Sequence, residues 1–401
     1  MKVLFYTREF PPYVYGGAGV HVEYLADELA KLMNIEVRCF GDQNEKKGNL
    51  TIKGFPFDTT NFDKIDSKLK AVLKTLNTCI QMNADPTDAD VVHCHTWYAQ
   101  FAGIVTKLCY GIPLVITTHS LEPLRPWKRD QLGRGYDASS WVEKTAIEMA
   151  DAVIAVSKET KEDVIKYFNV SEDKIKVIYN GINLNQYVVT KETSALEKYH
   201  IDKSKPYVLF VGRITKQKGI IHLVNAIKYI DPETQVVLCA GAPDTVEIAK
   251  EMEDCVNLAK KNRDNIIWID KMLEKDEIIQ LYSHADVFCC PSIYEPFGII
   301  NIEAMACNTA VVASAVGGIK EVVVDGVTGV LVPLEQQKEA PFEPIDPDKF
   351  SRDLASGINK IIKAPELMRS MAKNGRKRVE DVFDWVAIAK QVEELYKSLK
   401  L

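Results

Sequence analysis

The segment Tyr294-Glu-Pro-Phe-Gly-Ile-Ile-Asn-Ile-Glu303 sets two carboxylates, Glu295 and Glu303, eight residues apart where an apolar run gives way to a helical one. Pro296 suits the first helical turn, where its missing N–H would have no partner anyway. Gly298 lets a ligand come close to the backbone. The N–H groups of Phe297, Gly298, Ile299 and Ile300 then form a helix N-terminus that attracts anions. Glu295 falls at its tip and Glu303 more than one turn inside, so the two face different parts of one ligand. The plain alternative has Glu295 complementing the helix dipole and Glu303 solvated.

A second candidate is Gly212-Arg-Ile-Thr-Lys-Gln-Lys-Gly219, again between an apolar strand and a helix. Arg213 gives a planar fork and Lys218 a mobile point charge, a pair able to hold a diphosphate, while Lys216 can stay in water. An exposed basic loop is the alternative. A third is the run from Glu9 to Gly19, whose Gly16-Gly17 pair precedes a helix and suggests phosphate. It is not a dinucleotide fingerprint, since the position that should hold the last glycine is Val22. A simple turn is its alternative.

Among the histidines, His93 and His95 share a strand face, but no third ligand stands near them in sequence, so no metal site is expected. His93 reads as a core residue. His95 ends its strand beside Trp97 and Tyr98, aromatics suited to stacking on sugar rings or to core packing. His119, followed by Ser120, sits at the end of another strand and is expected in the site. Two Asp-x-Asp pairs are set aside: Asp88/Asp90 precedes a strand, at the wrong end of a sheet, and Asp346/Asp348 stands where a helix N-cap is needed.

Short apolar strands alternating with amphipathic helices must position these residues. Val3–Thr7, Glu36–Phe40, Val91–His95, Leu114–Thr118, Val153–Ser157 and Lys176–Tyr179 form one series. Tyr207–Val211, Val236–Ala240, Ile266–Ile269, Val287–Cys290, Ala310–Ala313 and Val330–Val332 form another. Strands apolar throughout belong to parallel sheets covered on both faces, so the expected class is α/β with two Rossmann-like doubly wound domains facing a cleft. The polar stretch 186–205 reads as the linker and hinge, giving domains 1–190 and 191–384. The amphipathic helix 385–401 could dock on either domain. Ligands collect beyond the carboxyl ends of such strands, where the three loop segments, His95 and His119 fall.

Lys+Arg 50 against Asp+Glu 56, a net −6, disfavours nucleic acid. No run approaches the ~20 apolar residues of a membrane span. Lys2 runs at once into Val3–Tyr6, unlike a signal peptide. The nine cysteines are odd in number, lie mostly in apolar segments and read as buried thiols, so the expected location is the cytoplasm.

Together these segments resemble the glycosyltransferases of the GT-B fold, specifically retaining members with the Glu-x7-Glu motif. Within them, Leu121-Glu-Pro-Leu-Arg-Pro-Trp-Lys128, Gln131–Tyr136, Ser139–Lys144 and His93–Tyr98 look like the short, actinobacterial-type glycogen synthases and α-maltose-1-phosphate synthases. The resemblance implies glucose transfer from ADP-glucose or UDP-glucose to the non-reducing end of an α-1,4-glucan, with no metal and no cofactor. It places Glu295 on donor-sugar hydroxyls, Glu303 on the ribose, Arg213 and Lys218 on the diphosphate, and His119 near the reacting centre. The amides of Phe297 to Ile300 and the glycines Gly16 and Gly17 join the donor side; Glu9, His95 and Trp97 lie on the acceptor side. The chain departs from longer starch synthases at Val14, where they carry a lysine, and has Asn308, Ala310 and Lys320 where relatives often have Gly, Pro and Pro. The rivals are α-maltose-1-phosphate synthase, whose acceptor is glucose 1-phosphate, a nucleotide-sugar epimerase, and a non-catalytic nucleotide-sugar binder.

Overall fold

The computed structural model describes residues 1–57 and 65–399; residues 400 and 401 of the expected last helix lie outside them. The chain forms two compact units, Met1–Gly181 with Trp385–Leu401, and Ile182–Asp384. The division falls at Gly181/Ile182 rather than within 186–205. That polar stretch is held by the second unit: the Tyr187 hydroxyl donates to Glu303, and the Ala195 amide donates to Gln280.

The first unit contains β1 (Lys2–Thr7), β2 (Asn34–Phe40), β3 (Asn44–Lys47), β4 (Leu50–Phe55), β5 (Val91–His95), β6 (Leu114–Thr118), β7 (Ala152–Ala155) and β8 (Ile175–Val177). They assemble in the order β3-β4-β2-β1-β5-β6-β7-β8, parallel except for the β3–β4 pair. β1, β5 and β6 are almost wholly buried, as continuous apolar strands between helices should be. β3 and β4 were not expected. In β4 only Leu50 and Ile52 are buried, alternating with polar Thr51 and Lys53, and β3 is polar Asn-Glu-Lys-Lys at the sheet edge. Such a hairpin carries no apolar run to read.

The last helix, Trp385–Leu399, joins the first unit. Its Trp385, Ile388, Val392 and Tyr396 share a core with Val22, Leu25 and Leu29 of helix Gly17–Ala30. Full burial of such side chains is worth about 1.5–3 kcal/mol each, enough to fix which unit the helix joins.

The second unit holds β9 (Tyr207–Arg213), β10 (Gln235–Gly241), β11 (Ile266–Ile269), β12 (Val287–Cys290), β13 (Ala310–Ser314) and β14 (Gly329–Val332), all parallel, in the order β11-β10-β9-β12-β13-β14. Strand order reverses between β1 and β5 in one sheet and between β9 and β12 in the other. At such a switch point the loops diverge and leave room for a ligand. The expected site residues follow β1, β5, β6, β9 and β12. Among the described residues no helix is long and apolar enough to cross a membrane.

Candidate active site

In the second unit, the loops after β9 and β12 meet. Lys218 Nζ lies 2.6 Å from Glu295 Oε2, and the Ser292 hydroxyl donates to the same oxygen at 3.2 Å. Burial alone would lower the Lys218 ammonium pKa, but the adjacent carboxylate outweighs it and the net shift is upward, so Lys218 is a fixed cation. The backbone enforces the approach. Gly317 has φ +52, and a Cβ there would stand 1.9 Å from the Glu295 carbonyl oxygen; the next amide, Gly318 N–H, donates to that oxygen at 2.9 Å.

Helix Ile299–Ala306 begins later than expected. Pro296 precedes it, outside the first turn, and Gly298 is its N-cap in the left-handed region at φ +103. A glycine is therefore required here by the backbone turn itself. The first-turn amides of Ile299 and Ile300 have no acceptor within the helix. Asn301 N–H donates to the Gly298 carbonyl.

Glu303 is not solvated. Its Oε1 accepts from the Tyr187 hydroxyl at 2.8 Å and its Oε2 from Tyr282 at 3.2 Å. Burial raises its carboxyl pKa despite these donors. The two tyrosines were missed because neither lies near Glu303 in sequence. Arg213 ends β9 with 44% of its side chain exposed, ion-paired to Asp244. Lys216 is exposed, as expected. Arg213 and Lys218 thus rise from one strand end, but each already has a carboxylate partner.

In the first unit, Glu9 is committed to its own loop. Its Oε2 accepts from the amides of Tyr15 and Gly16, at 2.9 and 3.0 Å, and so shapes the Gly16-Gly17 turn from which helix Gly17–Ala30 starts. Trp97 is 3% exposed and belongs to the interior, so it offers no sugar platform. His95 is fully buried as well and reaches the strand edge only through a 3.1 Å hydrogen bond to His119. Trp97 is buried in the first turn of helix Trp97–Tyr110, and the His95 ring is packed among Phe5, His21, His93 and His119.

The histidines form a cluster that spacing along the chain concealed. His21, from helix Gly17–Ala30, stacks edge-on against His119 at 4.6 Å between centroids, and its Nδ1 pairs with Asn180 at 2.6 Å. His93 bridges the Tyr396 hydroxyl at 2.6 Å and Thr117 at 2.7 Å, a satisfied core histidine. Burial lowers the pKa of His21 to about 4 and holds those of His93, His95 and His119 well below the usual imidazole value, so all four are neutral near pH 7. The missing third partner for His95 therefore exists in space: His21, His95 and His119 each present a ring nitrogen within 4.8 Å of the others. Nitrogens around tetrahedral zinc stand about 3.3 Å apart, so the triad is open for such an ion. The His95–His119 hydrogen bond and the packing of His21 against His119 make the triad a neutral support for His119.

The remaining candidates behave as structural residues. Asp88 pairs with Lys2, and Asp346 caps helix Pro347–Ile362 through the Lys349 amide at 2.8 Å. All nine cysteines are free thiols, seven of them buried.

Comparison with known proteins identifies the family. The family described as "Glycosyl transferases group 1" matches residues 191–378, and "Glycosyltransferase Family 4" matches 15–186. The chain is 44% identical, over the full length of both, to the α-maltose-1-phosphate synthase of Mycolicibacterium smegmatis. To a glycogen synthase of Mycobacterium tuberculosis it is 25% identical, over 100% of this chain and 95% of that one. Among solved structures, sucrose-phosphate synthase from Thermosynechococcus elongatus superposes with a TM-score of 0.80 at 26% identity, covering 99% of this chain and 98% of that one.

Proposed function

Because the chain belongs to the GT-B glycosyltransferases, in the group that holds the α-maltose-1-phosphate synthases and glycogen synthases, we propose that it transfers glucose from ADP-glucose or UDP-glucose to glucose 1-phosphate, yielding α-maltose 1-phosphate. The observation that carries this reading is the full-length 44% identity to an α-maltose-1-phosphate synthase against 25% to a glycogen synthase. The longer α-1,4-glucan as acceptor becomes the second reading.

In this proposal the second unit takes the nucleotide sugar. Lys218 and Arg213 exchange or share their carboxylate partners with the donor diphosphate, and the Gly298–Ile300 amides face its oxygens. Glu295, relieved of part of its pairing, accepts from donor-sugar hydroxyls, while Glu303, oriented by Tyr187 and Tyr282, accepts from the ribose. The bond from glucose C1 to the β-phosphate oxygen breaks as C1 bonds to the acceptor O4 on the same face, retaining the anomeric configuration. The departing phosphate oxygen takes the O4 proton, so no separate base is needed. Negative charge grows on the leaving group, and fixed cations and amides are worth most there because they need no reorganisation. His119 would meet the donor sugar as a neutral hydrogen-bonding group, since the buried cluster behind it disfavours the imidazolium.

The test is a product assay. Labelled ADP-glucose and UDP-glucose are each offered with glucose 1-phosphate or glycogen, with and without a chelator. Label in maltose 1-phosphate, undiminished by chelator, is the expected outcome. Label entering glycogen alone would return the glucan reading to first place.

A further inference from the structure

Three cations gather at the carboxyl ends of neighbouring strands in the first unit, and the function above does not yet use them. Arg8 follows β1, and its guanidinium lies 4.1 Å from the centroid of the Tyr98 ring, which follows β5. Lys128 Nζ stands 5.9 Å from the same centroid. Arg125 donates from Nη1 to the Ser120 hydroxyl at 2.9 Å, beside His119 and just after β6, while its buried Nε has no partner. Among the described residues neither Arg8 nor Arg125 forms an ion pair, and Lys128 reaches Glu122 only at 3.6 Å, outside hydrogen-bond distance.

The carboxylates nearby are turned to other tasks. Glu122 accepts from the Ser139 hydroxyl at 2.8 Å, and Glu143 accepts from the Glu122 amide at 2.7 Å. Burial, then the neighbouring Glu122, raises the Glu143 carboxyl well above its usual range, so this pair does not supply two full negative charges. Burial, then the like charge of Arg125, lowers Lys128 to about 8. The cluster is therefore short of anionic charge. Arg8 also lines a cavity of about 320 Å³ with Tyr13, Tyr15, Phe40, Asp42 and Phe57, a space of aromatic walls and one carboxylate suited to a sugar ring.

We propose that Arg8, Arg125 and Lys128, set around Tyr98 and Ser120, seat the phosphate of a sugar-phosphate acceptor, whose ring lies toward the Arg8-lined cavity. Two guanidinium forks and an ammonium match a compact dianion with several acceptor oxygens. An uncharged glucan end would leave both guanidinium groups without an anionic partner, so the cluster favours a phosphorylated acceptor over a glucan. The inference rests on the proposed α-maltose-1-phosphate synthase reading and assigns its acceptor specificity to named residues.

The test uses the full chain and two variants, Arg8→Gln and Arg125→Gln, each checked for native circular dichroism. Calorimetric titration should show wild type binding glucose 1-phosphate at least about tenfold tighter than glucose, with each variant losing that preference. The KM for glucose 1-phosphate should rise about 10- to 100-fold in either variant, while the KM for the nucleotide sugar, bound in the other unit, stays within about twofold. A glucose 1-phosphate KM unchanged in both folded variants overturns the seat while leaving the synthase reading intact. If wild type labels only glycogen, the synthase reading fails and titration with glucose 1-phosphate and inorganic phosphate judges the seat by itself. Binding lost in Arg8→Gln would then uphold an anion seat, and no binding by wild type would remove it.

Discussion

Replacing Lys218 by alanine removes an ammonium that stands 2.6 Å from Glu295 Oε2, and two separable losses should follow. The first is in stability. Stranding one member of a buried pair costs about 3–5 kcal/mol. Here the Lys218 and Glu295 side chains keep 21% and 9% exposure, and Ser292 still donates to the carboxylate. The cost should therefore fall to about 2 kcal/mol, a shift of roughly 4–8 °C in the melting of a unit this size. The second loss is in turnover. A preorganised donor facing charge that develops on a leaving group is worth about 2.7–4 kcal/mol, so kcat should drop by about 100- to 1000-fold. Urea unfolding and nucleoside diphosphate release measure the two separately. The double variant Lys218→Ala/Glu295→Gln then distinguishes their causes. Neutralising Glu295 removes the stranded charge and should restore most of the stability, but turnover should remain low because the diphosphate still lacks its cation. Turnover of Lys218→Ala within about threefold of wild type, or turnover returning together with stability in the double variant, would refute the reasoning and leave Lys218 as a partner of Glu295 alone.

Further consequences concern acid stability and the backbone around Glu295. Burial holds His21 and His222 at about 4, below the value near 6.5 expected when unfolded, so between these limits the unfolded chain binds protons that the folded chain does not. Stability is thus full above pH ~6.5 and falls on acidification, by up to about 1.4 kcal/mol per pH unit for each histidine. Urea midpoints at about pH 7.5 and about pH 5 should differ accordingly, and His222→Gln should flatten the slope; a flat profile in wild type would contradict the burial argument. Gly317→Ala places a methyl group 1.9 Å from the Glu295 carbonyl at a positive φ, so it should destabilise the second unit by more than about 2 kcal/mol and raise the donor KM. A stable variant with unaltered donor KM would show that this close approach does not position Glu295.

What was legible in the sequence was local. Apolar strands such as Val91–His95 and Ala310–Ser314 announce parallel sheets, because a strand covered on both faces can tolerate little polarity. Once the strands are placed, the candidates at their carboxyl ends follow from topology, and Lys218, Glu295 and His119 were all found there. Side-chain contacts between distant segments were not legible. Tyr187 is 116 residues from Glu303, and Tyr396 is 303 residues from His93. No periodicity encodes such pairs; packing alone brings them together. The same packing buried Trp97 and His95, gave one Glu9 oxygen to its own loop, seated the last helix on the first unit's core and brought Arg8 and Lys128 to one tyrosine. Residue order determined which chemical groups stand at the strand ends, since backbone pattern and glycine placement act over a few residues. Which of those groups remain available to a substrate depended on burial and on already occupied lone pairs, and these exist only after the chain has closed on itself.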